Sequence, residues 1–254
     1  SMTNPFGTDA MAAGYAAARP PVHARVLADY FGTSPPAPPV RRALDLGCGA
    51  GLSTRALEPF AEERIGIEPA VPMLRWTRDV APGARFAAAA AEALPLRDRL
   101  VDLITAAGSL NYVADLPRAL IEARRVLTKA GRVLVYDFSA GRRFNDRAGL
   151  ETWFAAFLAR YPYPSSEARP LNPAILAEVA LGWTLRRSEP TRIPLTMSLH
   201  RYMDYVLTET NVAAAVRRGT SLEAIGGWVS ETLPPVWGGE ERAVLFEGYW
   251  AEFV

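Results

Sequence analysis

The sequence has very few of the side chains that form disulfides, bind metals or act as general bases near neutral pH. Among its 254 residues there are one cysteine and two histidines. A single cysteine, Cys48, excludes an internal disulfide and is typical of proteins from a reducing cytoplasm. No group of cysteine, histidine and aspartate has the spacing of metal ligands, so we predict no bound metal.

Long apolar runs and an excess of one charge are also lacking. No apolar run is long enough to cross a bilayer and none has the form of a signal peptide, so we expect a cytoplasmic protein with no membrane contact. The 28 basic and 27 acidic residues nearly cancel, and no basic run is interleaved with aromatic residues, so nucleic acid is not an expected partner. Half of the residues are hydrophobic, which suffices for one large α/β domain with a buried core.

A glycine-rich stretch is the most informative part of the chain. Residues 43–51 read Ala-Leu-Asp-Leu-Gly-Cys-Gly-Ala-Gly, a short apolar strand that runs into a tight turn. Glycine permits positive φ angles and lets a ligand approach bare backbone, and the helix predicted over 52–60 directs its free N–H groups to the same place. Glu68 follows a second predicted strand, at the position where a carboxylate holds a ribose diol. These features predict a nucleoside-binding βαβ unit.

Alternating strand and helix patterns indicate a doubly wound α/β fold, with a mostly parallel sheet covered by helices on both faces. The best-defined helix is predicted over 115–127, with Asp115 as its N-cap. A stiff, proline-rich connector is predicted over 34–39. The strands are predicted over 41–46, 64–67, 84–88, 100–106, 132–138, 183–187 and 243–253. The other helices are predicted over 9–31, 52–60, 70–80, 150–161 and within 199–233.

The domain organisation follows from these patterns. We interpret 1–254 as a single domain in which 41–138 forms the ligand-binding core. Residues 1–33 would provide a leading lid helix, and a helical cap over about 195–240 would be inserted before the last strand.

Several further motifs accompany the glycine loop, whose third glycine arrives one residue earlier than the dinucleotide fingerprint requires. Glu92-Ala93-Leu94-Pro95 precedes the fourth predicted strand, Tyr15-Ala16-Ala17-Ala18-Arg19-Pro20 lies upstream, and residues 124–134 form a turn into the fifth strand. Together these motifs resemble the class I S-adenosylmethionine (SAM)-dependent methyltransferases, and segment 207–212 resembles a bacterial small-molecule subgroup. The resemblance implies a Rossmann-like, seven-stranded sheet with an antiparallel last strand, SAM as cofactor, S-adenosylhomocysteine (SAH) as product, and a small-molecule methyl acceptor.

The resemblance also implies the cofactor-binding residues. Glu68 would hold the ribose, although it is also placed to cap a helix that begins near Ala70. Asp45 would brace the glycine loop through backbone N–H groups or contact the SAM amino group. Ala90 stands where many relatives carry an aspartate, so the adenine amino group would lack one acceptor. The implied cofactor contacts are Tyr15, Arg19, Asp45, Gly47, Cys48, Gly49, Gly51, Glu68, Ala91, Glu92 and Gly108.

Catalysis needs little from the side chains, because SAM itself carries an electrophilic methyl group. The candidate catalytic residues are His200, Tyr112 and Asp137, and none is required as a base. His200 fits a capping or packing role better, and Tyr112 fits packing equally well. Tyr15, Arg19 and the helices of 199–233 would cover bound SAM and exclude water.

The predicted function is methyl transfer to an oxygen, nitrogen or carbon nucleophile of a small molecule. Two alternatives stay open. The first is a methyltransferase fold that keeps SAM as a structural ligand for a non-methylating rearrangement. The second is a non-catalytic SAM-binding module that docks onto a partner protein. Both a monomer and a homodimer agree with the sequence.

Overall fold

The computed structural model describes residues 9–32 and 38–254, with side chains from Gly14 onward. These residues form two compact units. Unit 1 consists of the described residues up to Pro20, with Ser139–Ser166 and Arg192–Glu247. Unit 2 consists of Pro21–Phe138, Glu167–Thr191 and Gly248–Val254. Residues 34–37 of the proline-rich connector predicted over 34–39 lie outside the described residues.

The single leading helix predicted over 9–31 is wrong, because two helices occupy this segment. The first is α1 (Asp9–Ala18) and the second is α2 (Val22–Phe31). Pro20 and Pro21 separate them, since proline lacks the N–H that a helix needs and disfavours the α conformation of the residue before it. The division of the chain into units falls between these prolines, so α1 belongs to unit 1 and α2 to unit 2.

The sheet of unit 2 confirms the α/β prediction. Five parallel neighbours lie in the order β3-β2-β1-β4-β5, and β8 adds to β5 in the antiparallel direction. The strands β1, β2 and β4 each contain a run of at least three buried residues, as expected when helices cover both faces of a parallel sheet. The strands are β1 (Val40–Leu46), β2 (Ala61–Glu68), β3 (Arg85–Ala88), β4 (Val101–Ala107), β5 (Leu127–Phe138) and β8 (Glu241–Phe253).

The predicted bounds of the helices in unit 2 agree with the structure in some cases and differ in others. The helix α6 (Leu116–Val126) is confirmed, and Asp115 caps it by accepting the backbone N–H of Arg118 at 3.1 Å. The helix predicted over 70–80 is instead α4 (Val71–Leu74) and α5 (Thr77–Val80). The Thr77 hydroxyl donates to the Leu74 carbonyl at 2.7 Å, and such side-chain bonds compete with the helical ladder. The others are α3 (Leu52–Ala56), shorter than predicted, and α8 (Pro173–Val179), which was not predicted.

Unit 1 is mainly helical. Its core is aromatic, and the Trp153 ring stacks on Phe157 with centroids 5.1 Å apart. Ser198 and Ser221 cap two of the helices by accepting backbone N–H groups at 3.1 Å. The helices after α1 are α7 (Leu150–Arg160), α9 (Leu199–Val206), α10 (Thr210–Arg217), α11 (Leu222–Thr232) and α12 (Pro234–Trp237).

The described residues contain eight strands, one more than the seven predicted. The additional strand, β6 (Arg143–Phe144), pairs with Leu245 and Val244 of β8. Two residues are too few to produce a hydrophobic alternation, so the sequence carries no signal for it. The strand predicted over 183–187 is β7 (Leu185–Ser198), which pairs with β8 and extends much further than expected.

A buried carboxylate on β8 predicts a pH dependence of stability. Glu252 is 1% exposed and accepts hydrogen bonds from Tyr30, Arg186 and Arg187. Burial opposes its ionisation, but these bonds outweigh burial and hold the pKa of Glu252 at about 2. A lowered pKa stabilises the fold above the unfolded pKa of 4.5, and this contribution is lost as the pH falls through about 2.

We therefore expect Glu252→Gln to lower the free energy of unfolding by about 2 kcal/mol at pH 7. The difference from the parent protein should shrink progressively as the pH falls from 5 toward 2. Urea unfolding over this pH range measures it, and Glu241→Gln, an exposed position of the same strand, is the control. A difference that stays constant or grows in acid would contradict the prediction.

Candidate cofactor site

A cavity of about 470 Å³ opens in unit 2 where β1, β2 and β4 end. The strand order reverses between β1 and β4, and open parallel sheets bind ligands at such a switch point. The volume lies within the range of about 300–1,000 Å³ that is usual for small-molecule sites. The lining residues are Leu46, Gly47, Ile67, Glu68, Pro69, Ala89, Ala90, Ala91, Glu92, Ala107, Gly108, Ser109, Tyr112, Val113 and Ala114.

The glycine loop has the conformation expected from its sequence. Gly47, Gly49 and Gly51 all have positive φ angles, of 70°, 54° and 106°. At Gly47 the space is also restricted, since a Cβ atom would lie 2.3 Å from the Cβ of Ser109. The Ser109 hydroxyl donates to the Leu46 carbonyl at 2.6 Å, which holds the two strand ends together. Ser109 lines the cavity, and sequence reasoning did not identify it.

Glu68 bonds the backbone directly before α4, as one of its two expected roles required, and it also lines the cavity; its ribose role stays a prediction. Its Oε1 accepts the Gly49 N–H at 2.9 Å and its Oε2 accepts the Ala70 N–H at 2.8 Å. These bonds orient the carboxylate and tie the glycine loop to β2. An ionised carboxylate has about four lone-pair sites, so acceptor capacity remains for a ligand in the cavity.

Asp45 is fully buried beneath the loop and is not among the residues that line the cavity. It accepts hydrogen bonds from the hydroxyls of Ser53, Thr54 and Thr105 at 2.6, 2.7 and 3.0 Å. Burial raises its pKa, and these three hydrogen bonds oppose that shift. Asp45 thus joins β1 to α3 and to β4 through side-chain hydroxyls, rather than through the backbone N–H groups that the sequence suggested.

Cys48 is also buried within the loop. Burial raises the pKa of its thiol, and the nearby carboxyls of Asp45 and Glu68 raise it further. A thiol with a raised pKa is a poor nucleophile. Cys48 is not among the residues that line the cavity, and its contact with the cofactor stays a prediction.

The turn that carries Ala91 and Glu92 is held from behind by α6. The Leu94 N–H donates to Glu122 at 2.9 Å, and the Arg125 guanidinium donates to the Leu94 carbonyl at 3.0 Å. A hydrogen bond from Arg125 lowers the pKa of Glu122 to about 2. Glu122 and Arg125 position this wall of the cavity. The sequence analysis did not identify them, because their partners lie about 30 residues away in the sequence.

The wall formed by Gly108 and Tyr112 brings in one of the predicted catalytic residues. Gly108 has a φ of 60°, and a Cβ atom there would lie 2.8 Å from Oδ1 of Asp137. Asp137 therefore lies directly behind Gly108, outside the lining of the cavity. Burial raises its pKa, while the Phe138 N–H opposes the shift. Tyr112 is 70% exposed at the cavity.

The remaining predicted site residues lie in unit 1. Arg19 donates to Glu209 at 3.0 Å and to Thr208 at 3.3 Å. Burial opposes the charge of Arg19, but Glu209 outweighs this effect and raises the pKa. The Arg19 guanidinium lies 5.8 Å from the Tyr15 ring, and His200 is exposed at the start of α9. The roles of Tyr15, Arg19 and His200 in ligand binding or catalysis stay predictions.

Two further searches covered the described part of the chain. Within residues 9–32 and 38–254, no group of three or more His, Cys, Asp or Glu residues could hold a metal ion. In the same ranges, none of the helices combines the length and the hydropathy that crossing a membrane requires.

Known proteins share this fold. Residues 44–135 match the family model described as a methyltransferase domain. A solved structure described as a putative type II methyltransferase from Anaeromyxobacter dehalogenans superposes with a TM-score of 0.66 at 22% identity. The superposition covers 92% of this chain and 95% of that one. At this identity, the likeness shows the shared fold.

Curated relatives are similar to about two-fifths of the chain. The ubiquinone/menaquinone biosynthesis C-methyltransferase UbiE of Acidiphilium cryptum is 41% identical over 40% of this chain and 43% of its own length. A malonyl-[acyl-carrier protein] O-methyltransferase of Methylococcus capsulatus is 39% identical over 40% of this chain and 38% of its own length. The chain thus spans about two-fifths of the length of these relatives.

The fold is that of a Rossmann-like α/β protein with a cavity beside the glycine loop, at the switch point of the sheet. The matches make the assignment narrower: residues 44–135 match a methyltransferase domain, and curated methyltransferases are similar to about two-fifths of the chain.

Proposed function

We propose that the protein is an enzyme that transfers a methyl group from SAM to a small molecule. The observation that carries this proposal is the Glu68 carboxylate, which two backbone N–H groups hold beside the glycine loop and which lines the cavity at the switch point of the sheet. A fixed carboxylate at this position suits a ribose diol.

The residues around the cavity fit SAM. Glu68 would accept hydrogen bonds from the ribose hydroxyls. Ala91 and Glu92 would flank the adenine, and the bare backbone of Gly47 and Gly108 would allow the methionine part to approach closely. Asp45 would act indirectly, because its three hydroxyl partners keep the loop in place.

The chemistry then depends on alignment. Bound SAM supplies an electrophilic methyl group on its sulfonium. The protein needs to hold an acceptor nucleophile in line with that methyl group and to exclude water, and such positioning can contribute on the order of 7–11 kcal/mol. Tyr112, exposed at the cavity, would contact the acceptor. Asp137 would support the Gly108 wall, and we assign no obligatory base.

The acceptor is proposed to be a small molecule. Of the two curated relatives described above, one is named a C-methyltransferase and the other an O-methyltransferase. Residues that this chain shares with both relatives therefore do not select the acceptor atom, and other residues must do so. The nearly balanced charge of the chain argues against nucleic acid as the substrate.

Calorimetric titration with SAH tests the cofactor, and methyl-labelled SAM tests the transfer. We expect SAH to bind, and label to pass from SAM into a low-mass product when the protein is incubated with a small-molecule extract. Absence of SAH and SAM binding would overturn the proposal. Binding with all label retained in SAM would instead favour the structural-ligand alternative.

A separate prediction concerns Ala90, which stands where many relatives carry an aspartate that could accept a hydrogen bond from the adenine amino group. Ala90 lines the cavity, so the carboxylate introduced by Ala90→Asp should accept a hydrogen bond from the adenine amino group and tighten SAH binding about tenfold. Calorimetry measures the change, and Ala93→Asp, an exposed position of the same turn, controls for the added charge. Unchanged or weaker binding would show that another group already serves the adenine amino group.

A further inference from the structure

A second cavity, of about 520 Å³, lies entirely among the helices of unit 1. It is bordered by α1, α9 and α10 together with Leu222, the first residue of α11. Its volume is within the range of about 300–1,000 Å³ that small-molecule sites usually have. Space remains open at α1, because a Cβ atom added to Gly14 would meet none of the described neighbouring elements within 4 Å. The helices thus leave room for a small molecule between them.

The wall of this cavity is mainly apolar. Val212 and Val216 lie four residues apart on α10 and therefore share a face of that helix. Leu207 and Leu222 extend the apolar surface, and Leu222 is 44% exposed. Covering such a surface with an apolar group removes it from water, which is favourable. The wall therefore suits the apolar part of a ligand.

The polar groups that line the cavity form two sets. Thr208 and Glu209 are already engaged, because the Arg19 guanidinium donates to them at 3.3 and 3.0 Å. Arg201 and Asp204 lie about one turn apart on α9, and both are exposed. Within residues 9–32 and 38–254, neither of these two side chains forms a hydrogen bond or an ion pair. One acid and one base at the cavity are thus available to a ligand.

We propose that this cavity binds a zwitterion with an apolar body, the class to which apolar amino acids belong. The Asp204 carboxylate accepts hydrogen bonds from the ammonium group of the ligand, and the Arg201 guanidinium pairs with its carboxylate. A ligand with a single charge would face a like charge beside its partner, whereas a zwitterion complements both groups. This inference goes beyond the proposed function and does not rest on it, since every residue that it uses lies in unit 1.

Calorimetric titration with phenylalanine tests the site. We expect phenylalanine to bind the parent protein, and phenylethylamine and phenylpropionate, which each lack one charge, to bind about threefold or more weakly. Arg201→Gln should remove the preference over phenylethylamine, and Asp204→Asn the preference over phenylpropionate, because each variant lacks the partner of one charge. Each variant should weaken phenylalanine binding about threefold to tenfold. Arg217→Gln, at an exposed position of α10 outside the lining, should bind phenylalanine like the parent protein.

Ala213→Trp tests the apolar part of the site. Ala213 lines the cavity, so an indole at this position should occupy its volume and weaken phenylalanine binding by about tenfold or more. Ala224→Trp, at an exposed position of α11 outside the lining, is the matched control. If Ala213→Trp fails to fold, the variants of Arg201 and Asp204 decide the outcome, because substitutions at exposed positions seldom affect folding.

The remaining outcomes overturn the proposal in distinguishable ways. Absence of phenylalanine binding, or equal binding by the parent protein and both charge variants, would remove the site. Equal affinity of the parent protein for phenylalanine and phenylethylamine would replace the zwitterion with a cation. SAH itself carries an amino-acid group, so loss of phenylalanine binding in the presence of SAH would assign phenylalanine to the cofactor cavity. Failure of the protein to bind SAH would overturn the proposed function alone, because the phenylalanine titration without SAH still reports on Arg201 and Asp204.

Discussion

Glu68→Gln is expected to lower the affinity for SAH by at least tenfold while the protein stays folded. An amide offers one acceptor oxygen, so one of the two backbone N–H groups of Gly49 and Ala70 would face an NH₂ donor. The ribose hydroxyls would also lose the charge-assisted hydrogen bonds of the carboxylate, which contribute roughly 1.5–3 kcal/mol. Calorimetric titration with SAH measures the loss directly.

Glu62→Gln is the matched control for this prediction. Glu62 lies on the same strand as Glu68 and is exposed, so its substitution should leave SAH affinity and thermal stability unchanged. Equal SAH affinity in Glu68→Gln and the parent protein would show that β2 does not carry the ribose acceptor. A large loss of thermal stability in Glu68→Gln would show that its hydrogen bonds to the loop are mainly structural.

Asp45→Ala is expected to destabilise the fold by about 3 kcal/mol or more, since each buried group that loses its partner costs about 1–3 kcal/mol. The substitution would remove the acceptor from three hydroxyls, those of Ser53, Thr54 and Thr105. It would also leave a space in the fully buried centre of unit 2. Urea unfolding measures the difference in the free energy of unfolding.

Asp79→Ala is the matched control for Asp45→Ala, because it removes an aspartate that is not buried. Asp79 is exposed on α5, and its substitution should change the free energy of unfolding by less than about 0.5 kcal/mol. If Asp45→Ala were as stable as this control but bound SAH weakly, Asp45 would be a direct ligand contact. That result would contradict the structural role assigned to it above.

The part of the site that could be predicted from the sequence depends on local backbone chemistry. Positive φ angles are predicted at Gly47, Gly49 and Gly51, because glycine adopts such angles without steric cost. The distance along the chain from this loop to Glu68 follows from the length of one helix and one strand. The N-cap at Asp115 is equally local, since its partner lies three residues away.

Other features could not be predicted, because they depend on residues that are distant in the sequence. Asp45 and Thr105 are 60 residues apart, and Leu94 and Glu122 are 28 apart. No pattern within a helix or a strand indicates that these side chains meet. The break at Pro20 has a clear local cause, yet its consequence, the assignment of α1 and α2 to different units, is a property of long-range packing.

The sequence by itself determined the glycine turn and the alternation of strands and helices around it, and it indicated a resemblance to the methyltransferases. Each of these follows from residue type and spacing. Only the tertiary structure decided which polar groups are satisfied: it gave Arg19 a partner in Glu209 and left the Nε of Arg142 without one. The physical reason is that burial makes an unpaired donor costly, and whether a side chain is buried beside a partner depends on the packing of elements that are far apart in the chain.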